Sequence, residues 1–184
     1  MNLLTMDQII REQPEEAPST AVGRPRALGE TRYDAVLVSP VSGAHRLTDQ
    51  LAALFRRAEY SIAVLRCPEP EEPAPGTAEL DQTRVCLVVV PEKLRVESRW
   101  LWWTLGRATA TTRRQAIIPV ARRDDAKPVG AFHPPLPQPL GELPYVGRSR
   151  AVGEDHDSLW VAPPGAPLAT REAVNLEYWI YERV

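Results

Sequence analysis

Val85-Cys-Leu-Val-Val-Val90 carries six apolar residues in a row, with no polar side chain between Arg84 and Pro91. A strand with one wet face alternates polar and apolar residues, so an unbroken run of this length reads as a strand covered on both faces. Sheets covered on both faces are parallel sheets flanked by helices. Other segments agree with this. Asp34-Ala-Val-Leu-Val-Ser39 and Tyr60-Ser-Ile-Ala-Val-Leu65 are apolar runs of strand length, as are Ala116-Ile-Ile-Pro-Val120 and the shorter Ser158-Leu-Trp-Val161. Pro119 fits a strand only where an edge-side or terminal N–H is not missed.

The intervening segments change period. Leu47, Leu51, Leu54, Phe55 and Ala58 share one helical face, closed by Arg56, Arg57 and Glu59. A short helical turn is predicted over 77–83. Ser98 is placed to cap a helix from Trp100 to Thr112, and Thr170 a last helix with Val174, Tyr178 and Tyr181 on one face. The alternation predicts an α/β fold: an open parallel sheet of five strands, run 34–39 central, with helices on both sides.

Proline punctuates this order at twice its usual share of roughly 5%, with 19 of 184 residues. Residues 128–144 are expected to cross the molecule with little regular structure. Residues 1–31 separate from the rest: Leu3, Leu4, Met6, Ile9 and Ile10 form one or two amphipathic turns ended by Pro14, and Glu15 to Thr31 reads as a linker. That leaves 32–184 as the folded unit.

Charge narrows the partners. There are 22 basic against 24 acidic residues, whereas a nucleic-acid binder working by counterion release shows a clear basic excess. No apolar run approaches the roughly 20 residues of a membrane span, and Met1 to Ile10 lacks the pattern of a secretory signal. Cys67 and Cys86 lie in or beside apolar runs, with no CxxC and no Cys/His cluster. The expectation is two buried free thiols, no metal, no nucleic-acid or membrane partner, and a cytoplasmic location.

Ligands of open parallel sheets bind beyond the carboxyl ends of the strands, which directs attention to residues 39–46, 66–77 and 91–104. No GxGxxG, GxxxxGK[ST] or GxSxG motif is present. In Ser39-Pro-Val-Ser-Gly-Ala-His-Arg46, Ser42, Gly43 and the following helix start either hold an anion or form an ordinary serine-capped turn. His45 is an exposed helix-start residue or a ligand contact. Residues 67–76 hold four prolines and three glutamates, so neither helix nor sheet continues there. Helical spacing puts Trp100, Trp103 and Thr104 on one face and turns Trp102 away. Two of these tryptophans suffice to pack a sheet, and the third borders a cleft or a partner unless all three are core.

These segments together resemble a TIR (Toll/interleukin-1 receptor homology) domain of the bacterial type. Tyr33-Asp-Ala-Val-Leu-Val-Ser39 is similar to that family's opening strand, Tyr-Asp-Val/Ala-Phe-Ile/Leu-Ser. Leu80-Asp-Gln-Thr-Arg-Val-Cys-Leu-Val-Val-Val90 resembles its Ile-x-x-Ser-x-x-x-Ile-x-Val-x-Ser segment. Ser98-Arg-Trp100 and Leu105-Gly-Arg-Ala108 resemble Ser-x-Trp…Glu-Leu-Gly-x-Ala, and Ile117-Ile-Pro-Val120 the strand that follows. The resemblance covers about residues 33–125. It implies a flavodoxin-like sheet, a nucleotide site and self-assembly.

The nucleotide contacts it implies fall on Ser39, Ser42, Gly43, His45, Arg66, Trp100 and Thr104. The assembly contacts fall on the loop residues Pro68, Glu69, Glu71, Glu72 and Pro73. One departure matters most. NAD-cleaving members carry a glutamate before the Leu-Gly pair, and here that position is Thr104. A hydroxyl supplies no charge to an oxocarbenium-like centre and no base near neutral pH, a loss on the order of 10²–10⁴ in rate.

The leading expectation is therefore a signalling or anti-phage defence module. It acts by associating with another TIR-type module or with itself, or by sensing a nucleotide, with impaired catalysis. The alternative is an NAD glycohydrolase that releases nicotinamide and an ADP-ribose product by recruiting Glu79, Glu92 or Glu97. A second alternative is a nucleoside deoxyribosyltransferase-like or nucleotide-binding protein. NAD or an NAD-derived nucleotide enters as ligand or substrate, with no resident cofactor implied. Thr104→Glu is the change expected to restore catalysis.

Overall fold

The computed structural model describes residues 4–5, 9, 32–69, 71–76, 78–92, 98–112, 114–121, 138–149, 158–164 and 173–181. The chain passes through β1 (Leu4–Thr5), β2 (Tyr33–Ser39), α1 (His45–Arg57), β3 (Ile62–Arg66), α2 (Ala78–Asp81) and β4 (Thr83–Pro91). It continues through α3 (Arg99–Thr111), β5 (Arg114–Ala121), β6 (Tyr145–Ser149), β7 (Ser158–Ala162), β8 (Val174–Asn175) and α4 (Leu176–Tyr181). One sheet holds every strand of the described residues, in the order β3-β2-β4-β5-β6-β7-β8, with β1 paired to β5. The protein is α/β, with an open and mostly parallel sheet.

The apolar runs become strands because both faces are covered. On one face Ala35, Leu37, Leu87 and Ile118 share an apolar layer with Leu47, Leu51 and Phe55 of α1 and Leu176 and Ile180 of α4. On the other, Val36, Val38 and Val88 pack with Leu80 of α2 and Leu101, Leu105 and Ala108 of α3. Each fully buried Leu, Val, Ile or Phe contributes about 1.5–3 kcal/mol. In-register neighbours such as Val64, Leu37 and Leu87 knit β3, β2 and β4 across the layer.

Several expectations are corrected at the edges. The sheet has eight strands among the described residues, wider than the five predicted. The run at 158–161 is present as β7 but antiparallel, paired to β6, and β8 adds antiparallel beyond it. β6 itself was hidden in Tyr145-Val-Gly-Arg-Ser149, whose glycine and arginine break the apolar run. Val174 lies in β8 and not on the last helix, while Thr170 is outside the described residues. Leu4 and Thr5 pair in parallel with Val120 and Ala121, and Ile9 is fully buried. The crossing before β6 contains a 3-10 turn at Leu140–Glu142; residues 122–137 are outside the described set.

Asp34 is a polar residue inside the first apolar run, and the structure explains it. Its carboxylate Oδ2 accepts the Ser61 N–H at 2.7 Å, and Ser61 O accepts the Asp34 N–H at 2.8 Å. The pair clamps the start of β3 to β2 at a site only 4% exposed. Asp34→Ala leaves the Ser61 N–H without that acceptor and is expected to cost about 1–3 kcal/mol. Asp34→Asn keeps an acceptor and should lose less; equal losses in urea unfolding would refute the clamp.

Candidate functional site

β2, β3 and β4 are parallel neighbours, so their carboxyl ends lie at one end of the sheet; residues 93–97, after β4, are outside the described set. The first loop leaves β2 through Ser39, whose hydroxyl donates to Val41 O at 3.5 Å and whose carbonyl accepts the Cys67 N–H at 2.9 Å. Ser39 is fully buried, so it faces its neighbours and not a cleft. A 3-10 turn at Ser42–Ala44 then feeds α1. Ser42 and Gly43 are exposed. The N-cap of α1 is Ala44, and no side chain caps the helix, so the serine cap is not formed. His45 is half-buried instead of exposed, and its Nε2 is shielded from solvent without a hydrogen-bond partner.

The second loop leaves β3 through Arg66. The guanidinium grips both Asp49 oxygens, at 2.8 and 2.9 Å. Both side chains are about half exposed, so the pair orients Arg66 more than it stabilises the fold. Cys67 follows, buried, with Sγ 3.9 Å from Thr104 Oγ1. The chain then turns sharply, Glu72 N–H donating to Glu69 O at 3.0 Å and Glu72 Oε2 accepting the Glu69 N–H at 3.1 Å. Trp100 Nε1 donates to the same Glu69 carbonyl at 3.2 Å, pinning the turn to α3. Glu69, Glu71, Glu72 and Pro73 are exposed and Pro68 half-buried. An open groove of roughly 540 Å³ runs beside the loop, lined by Val64, Arg66, Pro68, Glu72, Pro73 and Glu79 among others.

The third element is α3. Ser98 caps it, accepting the Leu101 N–H at 3.4 Å. Leu101, Leu105 and Ala108 point inward, and Thr104 with them, at 0% exposure. Trp103 points outward at 41% exposure, so it adjoins Trp100 without sharing the burial of Thr104, and Trp102, expected to turn away, packs inward instead. Trp100 and Trp102 pack against the second apolar layer. Trp100 meets Trp103 edge-on at 6.1 Å, and Arg99 lies 4.4 Å over its ring. Two tryptophans pack the sheet while the third faces solvent.

The structure thus joins Thr104 to Cys67, Trp100 to the acidic turn, and Arg66 to Asp49. It does not place Ser39 or Thr104 on an open surface. Of the carboxylates expected to substitute for the missing one, Glu79 is half-buried in the groove, and Glu92 is half-buried past β4 with its N–H on Val120 O. Glu97 lies outside the described residues. Spacing missed two contributors: Cys67 was expected only as a buried thiol, and Asp49, 17 residues before Arg66, becomes its partner only once α1 and β3 lie side by side. Burial pushes the Cys67 thiol up to about 11, the Thr104 hydroxyl opposing slightly, and the Cys86 thiol to about 12, with Cys67 adding to the effect. Both are protonated and unreactive near neutral pH.

Among the described residues no cluster of His, Cys, Asp and Glu can hold a metal ion, and no helix is long and apolar enough to cross a membrane. No family model and no curated protein matches the chain.

Proposed function

We propose that this chain is a TIR-like module of signalling or anti-phage defence that works by protein association and does not cleave NAD. The observation that carries the reading is the complete burial of Thr104 against Cys67. The position that bears the glutamate in NAD-cleaving domains is here part of the core, so a nucleotide ribose has no carboxylate to meet there. Association has better support. The acidic turn is exposed, pinned by Trp100, and rich in proline, so it presents a fixed surface at low ordering cost. The parallel strands β3-β2-β4-β5-β6 are in an order compatible with the flavodoxin-like sheet that the resemblance implies.

The test is incubation with NAD. Nicotinamide is expected to appear no faster than in buffer alone. Turnover above that rate, abolished by Glu79→Ala or Glu92→Ala, would overturn the reading in favour of a glycohydrolase with a relocated carboxylate.

A further inference from the structure

The sheet ends very differently on its two sides. At one end β8 is only two residues long and runs straight into α4, a very short edge that offers little to a further strand. At the other end β3 spans Ile62–Arg66 with neither lysine, proline nor bulge in its sequence. Its backbone directions follow from its bonds to β2. Ser61 O accepts from Asp34 and the Cys67 N–H donates to Ser39, and in a parallel pair alternate residues face the same neighbour. Residues 61, 63, 65 and 67 therefore face β2, while 62, 64 and 66 face away. The Ile62 carbonyl confirms the direction, since the Arg56 side chain reaches it from outside at 2.9 Å. Arg56 thus occupies the outward Ile62 carbonyl, whereas among the described residues nothing bonds the outward N–H and C=O of Val64, which lines the groove with Arg66, Pro68 and Glu72.

We propose that this edge pairs with the same edge of a second copy of the chain, antiparallel about a two-fold axis at Val64. The proposal rests on the association reading above and names its surface. A two-fold contact is self-complementary, so the two β3 strands must run in opposite directions. Val64 then opposes Val64 of the second copy and exchanges both backbone bonds with it. The acidic turn at the carboxyl end of one β3 comes to the amino end of the other. That amino end carries Arg56, already placed at the Ile62 carbonyl, and the exposed Arg57, with Glu59 offsetting one charge. The opposing turn carries Glu69, Glu71 and Glu72, all exposed, while Arg66 is engaged by Asp49. Opposite charges meet twice, once at each end of the paired strands. A parallel arrangement would set the acidic turns side by side.

Sedimentation equilibrium of the full chain tests this. The wild type is expected to show a concentration-dependent dimer, and Val64→Pro, which removes the outward N–H, a monomer. Surface charge reversals guard against a folding failure. Glu71→Arg with Glu72→Arg, and separately Arg57→Glu, should each weaken the dimer at least tenfold. Mixing those two variants should restore it as a heterodimer, because both ends are then complementary again. A wild type that stays monomeric at every concentration, or a dimer indifferent to both reversals, would overturn the edge pairing. A monomer that also leaves NAD intact removes only this surface, whereas NAD turnover removes the association reading itself.

Discussion

Thr104→Glu is expected to destabilise the protein by about 3–5 kcal/mol and to create no NAD cleavage. The side chain at 104 is fully buried, and its contact is the Cys67 thiol. A glutamate there adds bulk to a close-packed layer, at about 1–3 kcal/mol. It must also either bury a charge or stay protonated, which costs about 2 kcal/mol more. For a domain of this size each kcal/mol lowers Tm by roughly 2–4 °C, so the melting curve should fall by about 6–20 °C. Thr104→Val, nearly the same shape, should lose less than about 1.5 kcal/mol, because the hydroxyl contributes only a weak contact with sulfur. A Thr104→Glu protein with unchanged Tm and measurable nicotinamide release would mean that position 104 opens to the cleft. The sequence predicts the reverse outcome, a gain of catalysis, and burial is the reason for the change.

Stability should also collapse on the alkaline side, in proportion to the two buried thiols. Burial holds Cys67 up to about 11 and Cys86 up to about 12, while an unfolded chain titrates its cysteines near 8.5–9. Above that value the unfolded state loses protons that the folded state keeps, so unfolding gains with pH. The stabilisation is complete below about pH 9 and is lost as pH climbs through the folded values. Each thiol contributes a slope of about 1.4 kcal/mol per pH unit, and together nearly 3. Urea unfolding between pH 8 and 11 should show this, with about half the thiol-dependent slope removed in Cys86→Ala. A slope identical in wild type and variant would show that the buried sulfurs do not govern the alkaline limb.

The central strands were readable because burial on both faces removes every polar residue from them. Val85–Val90 leaves no other structure open, and β4 extends it by only a residue or two at each end. α1 was readable for the complementary reason: Leu47, Leu51 and Phe55 repeat on one face and are buried. The margins were not. β6 owes its place to pairing with β7 and to a short parallel ladder with β5 at Ile117 and Tyr145, and such pairing leaves little trace in a segment containing Gly147 and Arg148. In α3 the ambiguity was one of phase. Trp100 to Leu105 is almost wholly apolar or small, so the tryptophans drew the face toward themselves. The Leu101, Leu105 and Ala108 spacing carries the true inward phase, with Thr104 beside it. Asp34 was quoted as part of a motif, but its hydrogen bond to Ser61 depends on two strands lying side by side.

The pairing of β1 with β5 gives the chain an awkward order of assembly. β1 emerges from the ribosome before every other strand, yet its partners Val120 and Ala121 are translated only after β2, β3 and β4. At about 5–20 residues per second, Leu4 and Thr5 wait several seconds for the strand they pair with. The α1 and β2–β4 segments, whose contacts are closer in sequence, can collapse meanwhile at smaller loop-closure cost. A newborn chain therefore passes through a stage in which most of the sheet exists and its first apolar segment is still unhoused, a stage at which a chaperone would find it.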